Sequence, residues 1–284
     1  MTSPQTLLKA WNLRAKKAFG QNFLVDASTA EMIVRRAELT PDDLVLEIGA
    51  GLGALTLPLA AAVRRLVAVE KDKDLIQLLR NELLAAKMDN TTVVHADILR
   101  VDLDELVAPE KAPLVVMGNL PYNISSQVVL KLLDHRQRVT RAVFMFQKEL
   151  AERLAAPPGS KTYGRLSVML QYSAEAKILT DIAATCFHPR PKVASAILSI
   201  RFKAAPEFPA RDEALLFRIV RAAFGKRRKT LKNALTQSDL RLDGAAVGDW
   251  LEGCAIDPRR RAETLSVSEY VTLANRFPLK PDAV

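Results

Sequence analysis

The chain has 284 residues, of which 49% are hydrophobic and 26% charged, a balance that excludes disordered and fibrous classes and suggests one large domain plus one small one. Cys186 and Cys254, its two cysteines, cannot build a disulfide framework and have no second Cys or His at ligand spacing, so a reducing, cytoplasmic setting without zinc or another metal is expected. The net charge of +9 favours phosphate polymers or acidic surfaces as partners, while the run 48–63, 16 residues with three glycines and a proline, is too short and broken to span a membrane.

The first 25 residues carry Lys9, Arg14, Lys16 and Lys17 with no acid before Asp26. This faintly resembles a transit peptide, but the stretch runs straight into Phe19-Gly-Gln-Asn-Phe-Leu24 and leaves little to cleave. From residue 44, short β-branched runs alternate with amphipathic ones, the mark of βα units around a mainly parallel sheet. Strands are expected at 44–48, 66–70, 92–95, 114–118 and 141–146. Helices are expected at 54–63, 72–87 and 125–134, the last with Ser125 as its N-cap. Two further strands, 177–184 and 194–202, bracket the proline-rich loop 186–193, which makes seven strands in a Rossmann-like α/β sheet. The stretch Ala204-Ala-Pro-Glu-Phe-Pro-Ala210 breaks both periodicities, and the pattern after it is helical. The expected domains are therefore 1–205, with a basic N-terminal arm, and an all-α 206–284. Net charges of +4 for 1–25, +2 for 26–205 and +3 for 206–284 put the basic excess at the two ends.

Leu46-Glu-Ile-Gly-Ala-Gly-Leu-Gly-Ala54 follows the first strand of the sheet and opens a helix, so Gly49, Gly51 and Gly53 let the backbone approach a ligand at the helix start. Glu70, 21 residues beyond Gly49, stands where an acid would bind ribose hydroxyls. This loop fits NAD and S-adenosylmethionine equally, and a helix packed closely on a strand would use the same glycines. Asp97, after the third strand, is either an acceptor for a ring edge or a simple helix cap.

Gly118-Asn-Leu-Pro-Tyr-Asn123, after the fourth strand, carries more specific chemistry. An exocyclic nucleobase amine is a poor nucleophile because its lone pair is delocalised into the ring. Methylation needs that pair freed and aimed, which two acceptors gripping the N–H protons achieve. The Asn119 side-chain oxygen and the Leu120 carbonyl, held out by Pro121, supply them, and Tyr122 offers a flat face for an extruded base. No strong base is required, because a positively charged sulfonium leaves as a neutral thioether. His95, His135 and His188 are scattered and read as packing or surface residues.

With these residues the sequence resembles the ribosomal RNA adenine dimethyltransferases of the KsgA family over nearly its whole length. The resemblance rests on Phe19 to Leu24, Glu47 to Gly53, His95-Ala-Asp-Ile98, Gly118 to Ser125, Tyr163-Gly-Arg-Leu-Ser-Val168, Phe187-His-Pro-Arg-Pro-Lys-Val193 and Arg227-Arg-Lys-Thr-Leu-Lys-Asn-Ala-Leu235. It implies a monomer that uses S-adenosylmethionine to dimethylate N6 of two adjacent adenosines in a hairpin near the 3′ end of 16S ribosomal RNA in the small subunit. Asn22 and Leu24 would line the methionine end of the cofactor with Gly49 and Gly51. Glu70 would hold the ribose, and Asp97 with Ile98 the adenine. Asn119 would touch cofactor and target, Tyr122 and Phe187 would sandwich the target base, and Lys192 would face phosphate.

Between Glu213 and Asp239 lie Arg218, Arg221, Lys226, Arg227, Arg228, Lys229 and Lys232 with no acid, read as a positive helical patch for a structured RNA. A solvated helix face or a nuclear signal are the bland alternatives, and Arg259-Arg-Arg261 extends the patch or is structural. Competing functions are a large-subunit adenine dimethyltransferase of the erythromycin-resistance type, a DNA adenine methyltransferase, a non-enzymatic small-subunit assembly factor and an NAD oxidoreductase. The fit of Arg227 to Leu235 favours the small subunit; a single proline after Asn119 and the lack of a large insert disfavour DNA.

Overall fold

The computed structural model describes residues 4–226 and 228–278. In chain order the helices and strands are α1 (Pro4–Ala10), β1 (Phe23–Leu24), α2 (Ala27–Arg36), β2 (Leu44–Ile48), α3 (Thr56–Ala62), β3 (Arg65–Glu70), α4 (Lys73–Ala85), β4 (Thr91–His95), α5 (Leu103–Val107), β5 (Leu114–Asn119), α6 (Ser125–Asp134), β6 (Val139–Gln147), α7 (Lys148–Ala155), α8 (Arg165–Ser173), β7 (Ala174–Ile182), β8 (Phe187–His188), β9 (Ser195–Phe202), α9 (Glu213–Ala223), α10 (Leu231–Thr236), α11 (Gly244–Gly253) and α12 (Val267–Asn275).

Seven strands form one sheet in the order β4-β3-β2-β5-β6-β9-β7, and β1 and β8 form a separate antiparallel pair. The strands from β4 to β6 are parallel, whereas β9 runs antiparallel to β6. Residues 44–48 are buried on both faces, as a parallel strand covered by helices must be, which is why they form an apolar run interrupted only by Glu47 rather than an alternating one. The strand order reverses between β2 and β5, and α/β sheets bind ligands at the carboxyl ends of such neighbours.

By its contacts the chain divides into residues 1–151 with 176–202, and residues 152–175 with 203–284. The start of the second unit's C-terminal part, at Lys203, lies close to the expected break near 206. The segment 152–175, expected in the large domain, instead belongs to the second unit. Tyr163, Val168 and Tyr172 pack there with Leu216, Leu235, Trp250 and Tyr270.

Two local differences from the expectation have clear causes. α3 starts at Thr56 rather than Ala54, because Gly49, Gly51 and Gly53, all at positive φ, use the preceding residues for a tight turn that only glycine enters without strain. Ser125 is the first residue of α6 and not its cap; its hydroxyl donates to the Pro121 carbonyl at 3.0 Å. Among the described residues no helix is long and apolar enough to cross a membrane.

Candidate active site

β2 delivers the glycine loop, and β5 beside it delivers Asn119. The Gly49 amide donates to the Val69 carbonyl at 2.8 Å, tying the loop to β3. Glu70, the last residue of β3, accepts from the Gly51 amide at 2.8 Å on one oxygen and from the Asp72 amide at 2.7 Å on the other. Burial raises its carboxyl above the ordinary range against the pull of those amides. Each oxygen keeps a lone pair for a ligand hydroxyl. Burial also opposes ionisation of Asp97, but hydrogen bonds from Lys71 and the Leu99 amide outweigh it and hold its carboxyl low. The Lys71 ammonium lies 2.9 Å from the Asp97 carboxylate.

Asn119 ends β5, and its amide nitrogen donates to the Asn22 carbonyl at 2.9 Å. A carbonyl can only accept, so this bond fixes which end of the amide is which and leaves the Asn119 oxygen as an uncommitted acceptor. Behind it the Ile124 amide and the Ser125 hydroxyl both donate to the Pro121 carbonyl, which braces the turn. The Tyr122 hydroxyl stands 3.3 Å from the Ser195 hydroxyl.

The chain from 16 to 23 closes this arrangement. Lys16 pairs with Asp72 at 2.6 Å and Asp74 at 2.7 Å, and Gln21 donates to Asp72 at 2.9 Å. The Phe19 ring lies under the Lys16 and Lys71 ammonium groups, 5.6 and 5.9 Å from its centre. Gly20 crosses the turn after β5 so closely that a Cβ there would stand 3.3 Å from both Pro121 Cβ and Asn123 Oδ1. The cavity, about 870 Å³ of empty space including the open solvent at its mouth, is lined by Phe19, Asn22, Gly49, Gly51, Glu70, Asp97, Ile98, Asn119, Leu120, Pro121 and Tyr122, among others.

Residues 12–278 match the family described as ribosomal RNA adenine dimethylase. The chain belongs to the ribosomal RNA adenine dimethylase family. It is 48% identical to the ribosomal RNA small subunit methyltransferase A of Desulforapulum autotrophicum over 97% of this chain and 96% of that protein. Among solved structures it is similar to a dimethyladenosine transferase from Plasmodium falciparum, with a TM-score of 0.73 and 25% identity over 88% of this chain and 95% of that one. The 23S rRNA methyltransferase ErmE gives a TM-score of 0.70 and 28% identity over 90% of this chain and 99% of that one.

In this adenine dimethylase the cavity gathers most of the residues that the sequence singles out, but not Leu24 or Phe187. These two face each other across the β1–β8 pair and are buried in the apolar core with Ile33, Met117 and Ile197. Apolar side chains on a short strand pair gain more from that core than from an open cavity. Lys192 is exposed in the loop after β8. Glu47, on β2, is a buried carboxyl that burial pushes up to about 8, with Thr56 opposing and the nearby Glu70 adding least; neither Glu47 Oε2 nor Thr56 Oγ1 makes a hydrogen bond of standard geometry.

The basic stretch of the second unit is not one helical face. α9 ends at Ala223, and Lys226, Arg228 and Lys229 are exposed in the turn before α10; Arg227 lies outside the described residues. Arg221 and Arg218 approach Asp239, at 3.5 and 4.0 Å. The acid just beyond the basic stretch in sequence thus folds back onto it. Lys232 is half-buried over α11, its ammonium 3.0 Å from where a Cβ on Gly248 would sit. Arg259 pairs with Asp257, and Arg260 with Glu269, so two members of that run are ion-paired within the second unit. Sequence reasoning missed Lys16, Phe19, Gln21 and Lys71; the Phe19 to Leu24 motif was the available signal for the middle pair.

Proposed function

We propose that this chain methylates N6 of two adjacent adenosines in a hairpin near the 3′ end of 16S ribosomal RNA, twice at each, with S-adenosylmethionine as methyl donor and the small ribosomal subunit as partner. The observation that carries this reading is the fixed Asn119 amide, whose free oxygen borders the same cavity as the glycine loop and Glu70.

The cavity suits the donor. Glycines at 49 and 51 give backbone access, the Glu70 lone pairs suit ribose hydroxyls, and Asp97 with Ile98 offers an acceptor beside an apolar wall for the adenine. When bound, S-adenosylmethionine supplies an electrophilic methyl on a sulfonium. The Asn119 oxygen and the Leu120 carbonyl accept the two N–H protons of the target amine and turn its lone pair toward that methyl. Such acceptors act most strongly as the amine becomes tetrahedral, which is differential binding of the transition state. The amine proton leaves to water once the nitrogen is positively charged, so no buried base is needed. Tyr122 provides the stacking face, while Phe187 reaches the base only if its loop leaves the core. The high identity to a small subunit methyltransferase, against 28% to ErmE, supports the small subunit over the large.

Incubation with labelled S-adenosylmethionine and unmethylated small subunits should yield N6,N6-dimethyladenosine in digested 16S RNA. Label confined to large-subunit RNA, or no label at all, would overturn the reading.

A further inference from the structure

A second cavity shares no lining residue with the first. It is lined by Leu8, Lys9, Leu13, Arg14, Ala15, His188 and Pro189. Its polar groups are two cations and an imidazole, and no acid occurs between residues 4 and 25. Lys9 and Arg14 are exposed and make no ion pair among the described residues, unlike Lys16 a few positions on. Trp11, between them in sequence, is 38% exposed.

This basic arm is fixed in place. Leu7 and Leu8 are buried with Phe23, Leu52, Leu75 and Leu78, and Leu13 and Ala15 pack against the same cluster. Its charges therefore hold defined positions, which a loose tail would not give them. The location also matters. His188 pairs with Phe23 across the β1–β8 ladder, and Phe23 lines the first cavity, so one strand pair contributes to the walls of both cavities.

We infer that this second cavity takes a backbone phosphate of the RNA strand next to the flipped adenosine, and that Trp11 stacks on a neighbouring unpaired base. The Arg14 guanidinium has the fork geometry that grips phosphate oxygens, and Lys9 adds a point charge. Exposed aromatic faces beside cations are the usual means of holding single-stranded RNA without reading its sequence. The inference rests on the proposed function, because it assigns the cavity to that same substrate.

The test uses the full chain and unmethylated small subunits. Lys9→Ala with Arg14→Ala should weaken subunit binding and lower the slope of log affinity against log salt by roughly 0.7 to 0.9, the expectation for one lost phosphate contact. Calorimetry should show unchanged affinity for S-adenosylmethionine, which also reports an intact fold. Subunit binding should quench tryptophan fluorescence, and Trp11→Phe should remove that quench, since Trp250 is buried in the second unit. Wild-type slope and affinity in the double variant, or an unquenched Trp11, would overturn the inference while leaving the proposed function intact. If the wild-type chain formed no dimethyladenosine and bound no subunits, both would fall.

Discussion

Asn119 is held by one bond whose polarity cannot be reversed, and this makes its two obvious variants informative. Asn119→Ala removes the acceptor and should raise the barrier to methyl transfer by about 2–4 kcal/mol, the scale for one preorganised polar group. Asn119→Asp keeps an acceptor but aims a carboxylate oxygen at the Asn22 carbonyl. It loses the bond and should also be slow. Single-turnover rates on small subunits check both, and an Asp variant as fast as wild type would remove the orienting role given to Asn22. Glu47 makes a separate residue-scale prediction. Its carboxyl titrates near 4.5 in the unfolded chain and at about 8 when folded, so the folded state binds the proton more tightly. Its contribution to stability is complete below the lower value and is lost as pH rises through the upper one, at no more than about 1.4 kcal/mol per pH unit. Glu47→Gln cannot ionise. Thermal unfolding should find it close to wild type at about pH 5 and more stable at about pH 9, whereas parallel curves would mean that Glu47 is not held protonated.

At the scale of elements, the site depends on two close approaches. A Cβ on Gly118 would lie 2.3 Å from the Ile48 carbonyl oxygen, so β5 reaches the end of β2 only with glycine there. Gly118→Ala must push the strands apart or shift the turn that follows, and a loss of about 1–3 kcal/mol in unfolding free energy is expected by analogy with overpacked cores. Methyl transfer should fall further than stability alone predicts, because Asn119 is the next residue. The second approach is the 16–23 segment, latched through Lys16. That side chain is substantially exposed, so Lys16→Met should weaken S-adenosylmethionine binding by only about 0.2–1 kcal/mol, measurable by calorimetry. The strands were legible in the sequence because β-branched runs bounded by glycine and charge have few alternatives. The glycine loop and the Asn119 turn were legible because their chemistry is local. Gly118 was not, since its clash exists only in the β2–β5 register. Nor was the allegiance of 152–175, where an ordinary helical pattern does not say which core receives Tyr163 and Tyr172.

For the whole molecule, the question is which of its positive charges are available to RNA. The chain carries a net charge of +9, but folding engages much of the basic stretch in the second unit. Arg218 and Arg221 share Asp239, Arg260 is paired with Glu269, and Lys232 lies along α11. Lys226, Arg228 and Lys229 remain, exposed in one turn and without an ion pair among the described residues. A phosphate contact shows itself by the counterions it releases, and each adds roughly 0.7–0.9 to the slope of log affinity against log salt. Arg228→Glu with Lys229→Glu should therefore flatten the slope for small-subunit binding by at least that amount, yet leave S-adenosylmethionine affinity unchanged. Arg221→Ala should do much less, because its partner Asp239 already offsets its charge. The two variants together separate a phosphate-binding turn from a helix face that is merely basic. Equal flattening by both would return the contact to α9, and no flattening by either would leave RNA binding to the first unit alone.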